Sequence, residues 1–273
     1  MFRISDFGLR ISDFAMTTIL AIAGLVIKEL YRRKDFYVLL VMTVVITAVS
    51  WLMNFFGENN IVRLLKSICL MLIWISALVI AVVTTARQIP AERESRTIFP
   101  LLAKPVTRRQ VLMGKFLGCW LACGIALVVF YLFFGIVTAT REHLAVTELI
   151  KGFWLQWVML AIVIGLALLG SIVFAAPSSN STICFVVVGG ILFLGGHLGQ
   201  VAMHLTEPGR TIVYAVYFLI PHLEWYNQRE ALVNDRALAA WSYCALATAY
   251  AAVYVAALLQ ATWLVFRRKT LNV

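Results

Sequence analysis

Six apolar blocks, each long enough to cross a bilayer, dominate this chain and leave it few ways to fold. They run from Phe36 to Phe56, Leu64 to Ala86, Val111 to Thr138, Phe153 to Ala175 and Thr182 to Leu205, with the sixth inside Leu238 to Phe266. A helix rises about 1.5 Å per residue, so about 20 apolar residues cross the hydrocarbon core. In lipid every backbone N–H and C=O must be satisfied by the protein, which restricts spanning structures to helices and closed barrels. The blocks are continuously apolar rather than alternating, so helices are expected. The predicted fold class is all-α: a polytopic membrane protein with six transmembrane helices.

Composition agrees. Of the 273 residues 62% are hydrophobic and 13% charged, against about 45–50% and about 25% in soluble domains. The formal net charge of +10 does not point to nucleic acid, because the basic residues flank apolar blocks and no nucleic-acid-binding motif accompanies them. Counting Lys and Arg in the connections gives 14 on one side, from Lys28 to Lys34, Arg87 to Lys115 and Arg267 to Lys269, and 7 on the other. By the positive-inside rule both termini are expected to be cytoplasmic.

The five cysteines, Cys69, Cys119, Cys123, Cys184 and Cys244, all fall inside predicted spans. They form neither a zinc set nor a disulfide framework and read as small packing residues. Near the start, Arg3-Ile4-Ser5-Asp6-Phe7 recurs as Arg10-Ile11-Ser12-Asp13-Phe14. Two copies cannot build a solenoid. Residues 1–16 are therefore expected to be a disordered or mis-annotated extension with translation starting at Met16, and 17–273 to form one membrane domain. The apolar run Phe14 to Ile27 is too short to span and lacks a signal-peptidase site. It predicts an interfacial helix, held among headgroups by Lys28, Arg32 and Arg33 beside Glu29.

Between the fourth and fifth spans, Ala176 to Ser181 reads as an uncharged turn, with Ser181 capping the fifth helix. Between the fifth and sixth, Thr206 to Ala237 holds a ten-residue apolar stretch, Thr211 to Ile220, followed by Pro221 and the Trp225-Tyr226 pair. Ten residues cannot cross. The segment reads as a re-entrant external hairpin with both aromatics at headgroup level, or as a surface loop with an amphipathic helix.

Arg87 to Phe116 carries the most functional information. Pro90, Pro100 and Pro105 break it, Glu92 to Phe99 suits a short helix, and Thr107 with Gln110 matches a capping box that restarts a helix into the third span. The result is a short charged element between two membrane helices, which a soluble partner can grip to tilt both. Glu92 and Glu94 also fit plain solvated charges paired with Arg93 or Arg96. Within the fifth span, Gly195 and Gly199 form a small-xxx-small face, and His197 and His204 lie roughly on one face. Helix-to-helix hydrogen bonding and a metal route both fit the histidines, but two of them without further ligands define no metal site. No catalytic constellation is readable.

Lys28-Glu29-Leu30 with the basic residues after it resembles the entry (elbow) helix of type-2 ABC export permeases. Glu92-x-Glu94-x-x-Thr97, Leu101-Leu102-x-x-Pro105-Val106-x-Arg108 and Gly114-Lys115 are similar to that family's pattern after its second span, notably in the group that includes the permease of the nitrous-oxide-reductase maturation exporter. Arg96 stands where a glycine usually precedes the threonine. The resemblance implies a permease subunit in the bacterial inner membrane, two copies of a separate ATPase, and a second permease, identical or related. It implies that Glu92, Glu94, Thr97, Pro105 and Arg108 contact the ATPase. The chain has no Gly-x-x-x-x-Gly-Lys-Ser/Thr loop, so ATP and Mg are expected on the partner, with no cofactor on this chain and no enzyme activity of its own. The alternatives are an ion-coupled secondary transporter, for which internal repeats and midplane charges are not evident, and a membrane-embedded lipid-modifying enzyme, for which only His222 and Glu224 stand near each other.

Overall fold

The computed structural model describes residues 4–32, 41, 44–45, 59–90, 107–139, 146–174, 176–204, 206–234 and 238–268. Among these the chain is helical, with no strand. The helices are α1 (Ile4–Tyr31), α2 (Asn59–Ala86), α3 (Arg108–Ala139), α4 (Val146–Val173), α5 (Pro177–His204), α6 (Gly209–Leu219), α7 (Arg229–Val233) and α8 (Trp241–Arg268), with a 3-10 turn at Leu223–Tyr226. Four of them, α2, α3, α4 and α8, are long and apolar enough to cross a membrane. Most of the expected first span, Phe36 to Phe56, lies outside the described residues.

Local chemistry explains several boundaries. The capping box at the start of α3 is formed: Thr107 N donates to Gln110 Oε1 at 2.8 Å, and Gln110 N donates to Thr107 Oγ1 at 3.3 Å. The start of α5 differs from the sequence expectation. The helix already begins at Pro177, a residue suited to a first turn because its missing N–H has no helical partner there. Ser181 is therefore no cap; its hydroxyl donates back to Pro177 O at 3.0 Å. Thr248 and Thr262 likewise donate to carbonyls four residues earlier, at 2.7 and 2.6 Å, which settles their hydroxyls without water.

Helix α4 is the centre of the bundle and packs against α2, α3, α5 and α8. Leu155, Met159, Leu160, Ile162, Ile164 and Leu168 on it are wholly buried. On α3, by contrast, Leu121, Ile125, Val128, Leu132 and Ile136 are 36–66% exposed. Their spacing of three and four residues puts them on one face. Such a stripe is ill-suited to water and well-suited to lipid. The α3–α4 contact is locked by two tryptophans stacked 4.4 Å apart. The Trp120 indole donates to Trp157 O at 3.0 Å, and the Trp157 indole to Trp120 O at 3.1 Å. Gly124 makes room for this, since a Cβ there would lie 2.6 Å from Trp157 Nε1.

Helix α1 packs along α3. A Cβ on Gly114 would meet Ile22 at 2.8 Å, and one on Gly118 would meet Val26 at 2.7 Å. Both helices advance by four residues between these contacts, so they run in the same direction there.

At the opposite end of the bundle, α6, the 3-10 turn and α7 fold back between the long helices. The turn rests on α4 and α5, and α7 on α2 and α4. Tyrosines fasten this segment to α8: Tyr226 Oη donates to Ala247 O at 2.7 Å, Tyr243 Oη to Trp225 O at 2.9 Å, and His222 N to Tyr250 Oη at 3.1 Å. Tyr226 is thus buried rather than at a surface, while Trp225 is exposed. The start of α8 is held by Glu148, which accepts from Leu238 N at 2.8 Å and pairs with Lys151 at 2.9 Å.

Candidate functional site

Helices α2 and α8 end, and α3 and α5 begin, at the arginine-rich end of the bundle. The Ala86 carbonyl at the end of α2 would ordinarily accept from the N–H four residues on, but that residue is Pro90, which has none. Asn180 on α5 supplies the replacement. Its Nδ2 donates to Ala86 O at 3.4 Å and to Ala167 O on α4 at 3.0 Å, and its Oδ1 accepts from Cys184 Sγ at 3.3 Å. Asn180 is wholly buried, and its Oδ1 sits against Gly170, where any Cβ would collide with it. One amide thus ties together α2, α4 and α5.

Two residues further on, the Gln88 carbonyl is taken by Lys115 on α3, whose Nζ donates to it at 2.8 Å. Lys115 is 2% exposed and Gln88 5%. An ammonium is a strong donor to a carbonyl in a low-dielectric setting. The described segment ending at Pro90 is therefore fixed on two sides.

The next described residues, from Thr107 on, are fixed too. Arg108 Nη1 donates to Phe266 O at 2.7 Å and Arg267 O at 3.4 Å, with the guanidinium 5.3 Å from the Phe266 ring centroid. These are last-turn carbonyls of α8, which favour a cation. The Arg109 guanidinium lies 3.9 Å over the Trp263 ring. The described residues on either side of 91–106 are thus anchored, those ending at Pro90 to α3 and α5 and those from Thr107 to α8.

Of the residues singled out in the sequence, Glu92, Glu94, Thr97, Pro105 and Arg33 lie outside the described residues. Arg108 lies at the second root. Lys28, Glu29 and Arg32 are exposed at the end of α1. His197 and His204 are both exposed on α5, and no group of three or more metal-ligating side chains occurs among the described residues. Gly195 is buried against the Glu224 carboxylate of the 3-10 turn, so it admits a side chain from the folded-back segment; the surroundings of Gly199 lie outside what is described. Sequence reasoning missed Asn180 and Gln88, whose partners are remote in the chain. The one available signal was Pro90, which announces a carbonyl without its helical donor.

The family described as ABC-2 family transporter protein has a model that matches residues 14–271. No curated protein matches the chain.

Proposed function

The chain belongs to the ABC-2 transporter family, as a multi-pass permease component of an ABC transporter, and from that premise we propose that it exports a substrate across the bacterial inner membrane with ATP hydrolysed by a separate subunit. Two copies of the ATPase and a second permease, the same or related, complete the transporter. Both termini and residues 91–106 face the cytoplasm, in keeping with the excess of Lys and Arg on that side. Glu92, Glu94, Thr97, Pro105 and Arg108 lie in the ATPase-coupling region.

The observation that carries this reading is the double clamp. A loop that transmits force must be anchored at both roots, or its motion dissipates in the linkers. Gln88 held by Lys115, and Arg108 held by the end of α8, satisfy that requirement. A displacement of the loop then reaches α2, α3, α5 and α8 as a unit, in the manner of rigid-body switching. Family membership leaves the ion-coupled transporter and the lipid-modifying enzyme without support.

In vesicles reconstituted with the ATPase, Glu92→Ala is expected to leave insertion intact and to lower transport-coupled ATP hydrolysis. Unchanged coupling counts against the role of this loop. A single cysteine at position 92, in a background lacking the five native ones, is expected to resist membrane-impermeant maleimide in intact cells. Labelling from outside overturns the orientation.

A further inference from the structure

Where the folded-back segment reaches in toward the middle of α2, four side chains from four elements come together. Arg229, the first residue of α7, places its guanidinium 5.0 Å from the centroid of the Trp74 ring on α2. Tyr131 on α3 interacts electrostatically with the same guanidinium and donates its hydroxyl to Gln156 Oε1 on α4 at 2.8 Å. Gln156 is 4% exposed. With its oxygen occupied by Tyr131, its Nε2 is buried without a hydrogen-bond partner, as is Trp74 Nε1.

All these open valences have one sign. Two buried N–H groups lack acceptors, and beside them is a guanidinium whose one hydrogen bond among the described residues runs from Nε to Asn227 Oδ1 at 2.8 Å. No described carboxylate lies within ion-pair distance of Arg229. Exposed Glu230 acts on it only at longer range, and Glu224 turns its carboxylate to Gly195 instead. Buried donors without acceptors are costly, and native proteins rarely leave them so. A single group with several acceptor oxygens answers all three donors, and the planar guanidinium fork matches an oxyanion.

We propose that Arg229, Trp74 and Gln156 form a binding site for a phosphate-type oxyanion, carried either by a lipid headgroup or by a free solute. An amphiphilic carrier has a natural seat: an apolar groove of about 430 Å³ between α3 and α4, lined by residues including Leu132, Ile136, Leu149 and Phe153, with Tyr131 in its wall. The site's part in transport rests on the permease reading; its existence does not, so it is tested by binding alone.

The purified protein is exchanged into equal phosphatidylglycerol and phosphatidylcholine, and the lipids retained on repurification are measured by mass spectrometry. In parallel, protein in nanodiscs of phosphatidylcholine alone is titrated with inorganic phosphate and its thermal unfolding recorded. Preferential retention of phosphatidylglycerol identifies a headgroup, and stabilisation by phosphate identifies a solute; either supports the site. The effect should fall about tenfold in Arg229→Gln and about threefold in Trp74→Phe, which removes the indole N–H but keeps an aromatic ring beside Arg229, and should persist in Arg210→Gln, which removes an exposed cation on α6. Absence of both effects in the parent protein, or their persistence in Arg229→Gln, overturns the proposal. Should Arg229→Gln fail to fold, Trp74→Phe decides: weaker binding supports the site and unchanged binding overturns it. Failure here leaves the ATPase-coupling reading standing, since no ATPase takes part.

Discussion

Replacing Asn180 by alanine tests whether a single amide closes the end of α2. The wild-type side chain is wholly buried and donates to Ala86 O and Ala167 O at 3.4 and 3.0 Å. The Ala167 carbonyl lies inside α4 and keeps its own helical acceptor role, so losing that bond costs about 1 kcal/mol. The Ala86 carbonyl is different. Its helical donor would be Pro90, so without Asn180 a buried oxygen is stranded, at about 1–3 kcal/mol. Together these give about 2–4 kcal/mol, before any cavity left by the missing atoms. For a chain of this size about 1 kcal/mol corresponds to roughly 2–4 °C in Tm, so the melt should fall by roughly 4–16 °C.

The protein carries its own reporter, because Cys69, Cys119, Cys123, Cys184 and Cys244 are all buried thiols outside any disulfide. A thiol-reactive fluorogenic dye followed during heating records their exposure. Asn180→Asp sharpens the test: it preserves size and the acceptor for Cys184 but turns an oxygen toward the two carbonyls. It should melt no higher than the alanine variant. If Asn180→Ala melts within about 1 °C of the parent, or Asn180→Asp matches it, the account of the α2 end is wrong.

Gly118→Val drives a Cβ to within 2.7 Å of Val26 and 3.0 Å of Ala23 O; it should cost about 1–3 kcal/mol in the same assay, whereas Gly24→Ala, with open space around it, should leave the melt unchanged or slightly raised. Tyr226→Phe removes the 2.7 Å bond to Ala247 O and should cost about 1 kcal/mol; a melt equal to the parent's would show that this fastening is energetically idle. Lys115→Met frees the Gln88 carbonyl but also removes a buried charge, and these effects oppose each other. Stability should therefore change little, while ATPase stimulation by substrate in the reconstituted transporter drops several-fold; full stimulation refutes the clamp at that root.

What the sequence revealed was decided by locality. The Thr107–Gln110 box closes over three residues, so it was readable from spacing alone, as were the long apolar helices. Ser181 was misread because a hydroxyl after Pro and Ser looks like a cap, although Pro177 is the better start signal. Asn180, Lys115 and Arg229 act on partners tens of residues away, and no local pattern reports such meetings. Gly195 suggested a helix neighbour, yet what lies against it is the Glu224 carboxylate; a missing Cβ shows that space is needed, not what fills it.

The two ends of the bundle are joined by α2, and its composition decides what it can transmit. From Asn59 to Ala86 it contains neither glycine nor proline, the usual sources of a kink. From Ala86, which Asn180 holds at one end, to Trp74, which lies beside Arg229 near the middle of α2, is twelve residues, or about 18 Å of helix. Helix α5 is the opposite case, with Gly189, Gly190, Gly195, Gly196 and Gly199 along its length. If residues 91–106 couple to an ATPase as proposed, a push on them would be conveyed along α2 with little loss and absorbed along α5. Movement of Trp74 relative to Arg229 is then the first change felt along that path, so the same ring that sits beside the guanidinium is the part through which that motion would loosen or tighten whatever the guanidinium holds.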